Sequence, residues 1–336
     1  MIEKKIFKSI LNNDKLAASE LFNTKYNEIN RVLRNSRLKN LFLELVNFNG
    51  ADTKKFVRIK KTNLIKNQII ISEIVKISKM FEDYNIRYVF IKGAASLMHF
   101  TNIRSLRETS DIDVLINHDD LKKLHKLLKK NNIRHKFNYK YNYLNSKLNH
   151  ALESVKLDSG VYLDIHFRAS SPLDFKACPF TNIFLENHEI KNYSGSLIKI
   201  INKDSIFFHS IYQLFIRNNI DYNSSSIIDL ITCHRQCKNY SLYKNNSFLE
   251  TYKILQANNK WNSVRNSFSS SKSNSNYFFK QIYKKPKTNF LKKMKIIYLN
   301  LRYINACTNE KYGYEASKKN LYIRFLKDKL FKLGNI

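Results

Sequence analysis

The stretch RETSDIDVLI, Arg107 to Ile116, sets Asp111 and Asp113 one residue apart in a run that is otherwise apolar from Ile112 to Ile116. A buried carboxylate is costly unless it is paired or coordinates a metal, so the pattern calls for an explanation. DIDVLI alternates, and a strand sends successive side chains to opposite faces. That places Asp111 and Asp113 on one face and predicts that Ile112, Val114 and Ile116 enter the core. Like charges about 6–7 Å apart along a strand repel unless a cation lies between them. Hard oxygen ligands of this kind suit Mg²⁺. A strand end carrying solvated aspartates is the other reading of these residues alone.

The flanking segments read as strands and helices in alternation. In NQIIISEIVKISKMFEDYN, Asn67 to Asn85, Ile70, Ile74, Ile77 and Phe81 recur at helical spacing. The β-branched and aromatic run IRYVFI follows and predicts a strand, stopped at Lys92-Gly93 before the short helical stretch AASLMHF. After the aspartate strand, NHDDLKKLHKLLKKNN has Asp119 and Asp120 in its first turn, Leu121, Leu124 and Leu128 on one face and lysines at its end. Both the period and the charge order fit a helix. IRHKFNYKYNYL, LNHALESVKL and VYLDIHF read as a meander with a turn at Asp158 to Gly160. In its last strand Tyr162, Asp164 and His166 share a face, so a third carboxylate repeats the arrangement of the first two. Beyond about residue 180 the pattern reads as helical, with DSIFFHSIYQLFIRNN and SSIIDLITCHRQCKNY as the clearest segments. RNSFSSSKSNSN, Arg265 to Asn276, has little to bury and reads as a loop or linker.

Composition narrows the class. The 336 residues are 43% hydrophobic and 13% aromatic, enough for a packed core, and the four scattered cysteines imply no disulfide framework. A cytoplasmic setting is expected. No run of about 18 apolar residues predicts a membrane span. At the N-terminus, Asn12 to Lys15 interrupt the apolar stretch too early for a signal peptide. The net charge of +32 attracts polyanions, although Lys, Asn and Ile are used heavily throughout. Residues 251–336 concentrate that charge, with 19 Lys and Arg against Glu310, Glu315 and Asp328.

Together, FIKGAASLMHF, RSLRETSDIDVLI and VYLDIHFRAS resemble the uncharacterised nucleotidyltransferase family, within the DNA polymerase beta-like nucleotidyltransferase superfamily. The shared features are a Lys-Gly turn, an Arg-x-x-x-Asp-h-Asp strand and an h-Asp-h-His strand, over roughly residues 65 to 240. The resemblance implies an α/β (α+β) fold with a small mixed β-sheet nucleotidyltransferase core at 65–175. A helical segment at 1–64 and a helical region at 176–336, strongly basic after 251, would flank it. It implies transfer of a nucleoside monophosphate from an NTP to an acceptor hydroxyl or phosphate, with release of pyrophosphate. The acceptor class stays open among small molecule, sugar, protein side chain and RNA end. Asp111, Asp113 and Asp164 would be the catalytic carboxylates, holding two Mg²⁺ ions, with Mn²⁺ as the alternative. Gly93 would let the backbone approach phosphate at a helix N-terminus, with Lys92, Ser96, Arg104 and Arg107 as further nucleotide contacts.

Other residues carry two readings each. His166 either orients a carboxylate, contacts phosphate or ligates metal, or is an ordinary polar sheet residue; His150 is a weaker candidate to join it. Cys233 and Cys237 in CHRQC stand without a second pair at zinc-site spacing and read as helix-packing residues. The basic C-terminal segment reads as a helical cap ahead of a nucleic-acid surface. Where the superfamily usually has Gly-Ser or Gly-Gly, Ala94 follows Gly93. That departure supports the alternative of a catalytically inactive nucleotide-binding or interaction module on the same fold.

Overall fold

Strand β1 (Tyr88–Phe90) is buried at every position, as a strand flanked on both edges and covered by helices must be. It pairs antiparallel with β2 (Asp111–Ile116), through Tyr88 opposite Ile116 and Phe90 opposite Val114. Strand β2 pairs in parallel with β4 (Tyr162–His166), whose other edge takes the short antiparallel β3 (Val155–Lys156). On its far side β1 pairs in parallel with β6 (Ser196–Ile201), which forms an antiparallel ladder with β5 (His188–Tyr193). The result is a mixed sheet in the order β3-β4-β2-β1-β6-β5. The computed structural model describes residues 2–236 except 3–4, 7–8, 11–12, 34–37, 47–50, 134–150, 153, 171–179 and 214–224.

The helices follow from their patterning. Helices α1 (Lys15–Thr24), α2 (Tyr26–Leu33) and α3 (Lys39–Leu43) precede the 33-residue α4 (Ala51–Asp83). Along α4 the inward stripe runs Phe56, Asn63, Asn67, Ile70, Ile74, Ile77 and Phe81, all buried. It is apolar where it meets the sheet and amide-bearing further back. The helix stops where Asn85 takes a left-handed backbone (φ +50°) and the Ile86 amide donates to the Phe81 carbonyl. Helix α5 (Lys92–His99) leaves β1 directly and packs on β2 and α4. Helix α6 (Leu121–Lys130) buries Leu121, Leu124, Leu127 and Leu128 on one face. After α7 (Phe180–Glu186) and the β5–β6 hairpin, α8 (Lys203–Ile211) and α9 (Ser226–Gln236) pack on each other and on α5.

Ile112, Val114 and Ile116 enter the core as expected, and Asp113 and Leu115 are buried as well, so the strand is covered on both faces. The turn at Asp158 to Gly160 is present, with Gly160 at φ +83° and the Leu157 amide bonded to the Val161 carbonyl. One expectation is corrected. The chain beyond residue 176 is not helical throughout, because His188–Ile201 is a hairpin that contributes two strands to the sheet. Its two-residue turn places Ser194 at φ +51° and Gly195 at φ +78°, the left-handed pair of a type I′ turn. The apolar pattern misses it because β5 is an edge strand and Ile190 and Leu197 face solvent, at 55% and 57% exposure. Residues 134–144 of the expected strand, His150, Cys237, the Ser/Asn-rich stretch and the basic 251–336 segment lie outside the described residues. Among the described residues no helix is long and apolar enough to cross a membrane.

Candidate active site

The site begins where β1 turns into α5. The Ile91 amide donates to the Asp113 carbonyl at 3.0 Å, extending the ladder one step beyond the strand and setting Lys92 beside Asp113. Lys92 itself takes a left-handed backbone, φ +50°, uncommon for a residue with a Cβ. Its Nζ donates to Asp113 Oδ1 at 2.5 Å and lies 3.3 Å from His166 Nε2. The parallel register of β2 and β4 sets Asp113 opposite Asp164, and His166 Nε2 approaches Asp113 Oδ1 at 2.8 Å. Asp113, Asp164 and His166 each offer a ligand atom, and the three atoms lie within 4.8 Å of one another. Asp164 Oδ1 is buried with no hydrogen-bond partner. A carboxylate oxygen left unsatisfied beside another carboxylate and an imidazole suits a bound divalent cation, so the donor set fits a metal.

Electrostatics follow from the crowding. Burial would raise the Asp113 carboxyl, but the Lys92 ammonium, and then His166, overcome it and hold that carboxyl well below the usual range. Burial, then repulsion from Asp113 and Asp164, pushes the Asp111 carboxyl up, with Lys92 and Arg107 pulling the other way. Asp111 is half-buried, opposite Tyr162 in the register, and accepts from Ser110 Oγ at 3.3 Å. Burial and the Lys92 ammonium lower His166 against the pull of Asp113 and Asp164, which favours the neutral imidazole.

Gly93 is buried behind this turn, and the guanidinium of Arg107 fills the space where a Cβ would stand. A Cβ built there would meet Arg107 Nη1 at 2.6 Å, Nη2 at 2.8 Å and Cζ at 3.0 Å. Arg107 is 2% exposed and donates to Asp229 through Nε (2.9 Å) and Nη2 (3.0 Å), and to Thr109 Oγ1 through Nη1 (2.7 Å). Arg104 donates from Nε to the Leu97 carbonyl at 2.9 Å and lies 5.9 Å from the Tyr193 ring centre. Ser96 is fully buried in α5, its Oγ without a partner. Thus Lys92, Asp113, Asp164 and His166 meet at one point, Asp111 borders it, and Arg104 and Arg107 are turned to protein partners.

Several contributors have no motif to announce them. Asn67 Nδ2 donates to the carbonyls of Arg104 (2.6 Å) and Arg107 (2.7 Å), Asn63 Nδ2 to Ser105 (3.3 Å), and Asn40 Nδ2 to Leu106 (3.0 Å). The N-terminal helices therefore clamp, through side-chain amides, the loop that feeds the acidic strand. Asp229 on α9 is 2% exposed and anchors Arg107. His209 on α8 bonds the Ala169 carbonyl at 3.0 Å and Gln213 at 3.2 Å. Burial, and then the Lys92 ammonium, lowers it to about 3. The one available signal was the polar interruption at Asn63 and Asn67 of an otherwise apolar helical stripe.

The crystal structure of an antigenic nucleotidyltransferase-like protein from Paracoccidioides brasiliensis matches the chain at 15% identity. The match covers 58% of this chain and 90% of that one, with a TM-score of 0.37. No curated protein matches the sequence. The family model described as uncharacterised nucleotidyltransferase matches residues 25–238, a span that takes in the clamp, the Lys-Gly turn, all three aspartates and Asp229. The chain belongs to the uncharacterised nucleotidyltransferase family.

Proposed function

We propose that the chain transfers a nucleoside monophosphate from an NTP to an acceptor hydroxyl or phosphate. The acceptor oxygen forms a new bond to the α-phosphorus, the bond between the α-phosphorus and the bridging oxygen breaks, and pyrophosphate leaves. The observation that carries this is the unpartnered buried oxygen of Asp164, held with Asp113 and His166 within 4.8 Å beside the Lys92-Gly93 turn. Asp111, Asp113 and Asp164 are the metal-holding carboxylates of this reading, for Mg²⁺ or Mn²⁺, and His166 Nε2 is a further donor atom beside Asp113. Divalent ions bound there supply charge neutralisation at the triphosphate and lower the pKa of the attacking hydroxyl.

The chain's own residues supply the rest. Helix α5 starts without a side-chain cap at Ile91, and uncapped N-terminal amides suit phosphate oxygens. Lys92 offers an ammonium to the polyphosphate, and the fully buried Ser96 is not among the groups that can reach it. Arg104 and Arg107 act from behind, by fixing the turn and the loop. The acceptor class is the open variable, and the basic segment after 251 extends it to nucleic acid.

Isosteric Asn replacement tests the reading, because it removes charge and keeps volume. Asp113→Asn and Asp164→Asn should keep the fold and lose the thermal shift induced by Mg²⁺ with NTP. Transfer of label from radiolabelled NTP to components of a cell extract should fall at least ~100-fold, since each ~1.4 kcal/mol lost from the transition state is a factor of ten. Variants that are destabilised yet keep the full ligand-induced shift would refute it. The second reading, an inactive nucleotide-binding module, is favoured by Ala94 after Gly93. It expects binding with no transfer of label by the wild type.

A further inference from the structure

Three carboxylates crowd one end of the sheet, and the nearest positive charge is tethered to the same turn. Lys92 Nζ sits 2.5 Å from Asp113 Oδ1 and 3.3 Å from His166 Nε2, and those two atoms are themselves 2.8 Å apart. The residues it grips are two of the three that could share a metal ion, the third being Asp164. A divalent ion bound by that oxygen and that nitrogen would lie about 2.0–2.2 Å from each. The ammonium is already held by both of these donor atoms, and two cations crowded against one oxygen repel.

We propose that Lys92 is a built-in counter-cation: it fills the divalent-ion position in the ligand-free protein and must release Asp113 before an ion can bind. This inference rests on the metal-site reading given above. The backbone of Lys92 is fixed at the start of α5, while its side chain is partly exposed and carries the charge at the end of a flexible four-carbon stem. A triphosphate arriving at the helix start offers the displaced ammonium a new anionic partner. A divalent ion alone offers none. Ion and nucleotide should therefore bind cooperatively, each making room or partnership for the other, and reciprocally so.

The test uses Mn²⁺ itself, titrated into the full chain and followed by the electron paramagnetic resonance of the free ion. Lys92→Met keeps the stem and removes the charge. Without nucleotide it should bind Mn²⁺ about tenfold more tightly than the wild type, a size typical of site coupling. A non-hydrolysable NTP analogue should tighten Mn²⁺ binding to the wild type, and that enhancement should be largely lost in Lys92→Met. Lys92→Gly gives a second route that keeps the fold, because glycine accepts φ +50° without cost, and it carries the same expectation. Equal or weaker Mn²⁺ binding in both variants, with Asp164→Asn abolishing it, overturns the role of Lys92 and leaves the metal site standing. No Mn²⁺ binding to any of the proteins overturns both.

Discussion

Replacing Gly93 by alanine tests whether the turn is glycine because of what lies behind it. The added Cβ would stand 2.6 Å from Arg107 Nη1, 2.8 Å from Nη2 and 3.0 Å from Cζ. Ordinary contact needs about 3.5 Å, so the guanidinium or the helix must retreat by about 1 Å. The guanidinium is buried and tied by three hydrogen bonds of 2.7–3.0 Å to Asp229 and Thr109, none of which survives such a shift in good geometry. Overpacking of this kind costs about 1–3 kcal/mol, with about 3–5 kcal/mol as the ceiling where a buried pair is broken outright. Alanine's better helix propensity returns about 1 kcal/mol. The net expectation is a loss of about 0–2 kcal/mol, rising to about 2–4 kcal/mol if the buried pair is broken outright, and each kcal/mol lowers the melting temperature by about 2–4 °C in a domain of this size. The same substitution in an Arg107→Met/Asp229→Leu background, where flexible apolar side chains replace the pair, should be neutral or stabilising. Urea and thermal melts of the four proteins complete the cycle. An equal loss in both backgrounds, or a more stable Gly93→Ala in the wild type, would refute the steric account.

Asn67→Ala removes the donor that serves two carbonyls of the loop before the acidic strand and should cost about 1–3 kcal/mol in urea melts. It should also weaken nucleotide binding per folded molecule, whereas a role confined to helix packing predicts unchanged binding. Asp204 stands in the first turn of α8, where a helix dipole favours its charge, yet burial and the nearby Glu189 carboxylate push it up to about 6. The folded protein therefore holds that proton more tightly than the unfolded chain, whose aspartates titrate near pH 4. Stability should fall as pH rises from about 4 to about 6 and level off above, on account of this group. Asp204→Asn should flatten that window and raise the melting temperature at pH 7; a profile identical to the wild type between pH 4 and 6 would contradict it.

How much of this was readable in the sequence divides by the range of the interaction. The period of two in DIDVLI and VYLDIHF, the Asp-Ser-Gly turn and the leucine stripe of α6 are local patterns, and each appears as an element of the expected kind. The turn of the β5–β6 hairpin was also local, since a Ser-Gly pair between alternating segments marks a turn. It was missed because an edge strand spreads its apolar residues thinly and leaves Ile190 in solvent. The site divides the same way. That Asp111 and Asp113 share a face of one strand, and Asp164 and His166 a face of another, follows from alternation. Their register, Asp113 against Asp164 with Asp111 against Tyr162, does not, because pairing is set by the whole sheet. The partner of Arg107 on α9 and the amide clamp from α4 depend on side chains far apart in the chain, and no single-segment pattern encodes them.

The pairing of Arg107 with Asp229 also bears on the order in which the molecule is made. The two residues are 122 positions apart, and closing a loop of that length costs about 4 kcal/mol of chain entropy, comparable to what the pair can return. The contact therefore forms late, once the sheet has already drawn α9 toward α5 and shortened the effective loop. During synthesis every motif of the site emerges before its brace does. Between the release of Arg107 and the release of Asp229, the nascent chain carries the guanidinium without the carboxylate that anchors it behind Gly93 in the finished fold. The brace behind the site is thus completed by α9, an element that contains none of its motifs.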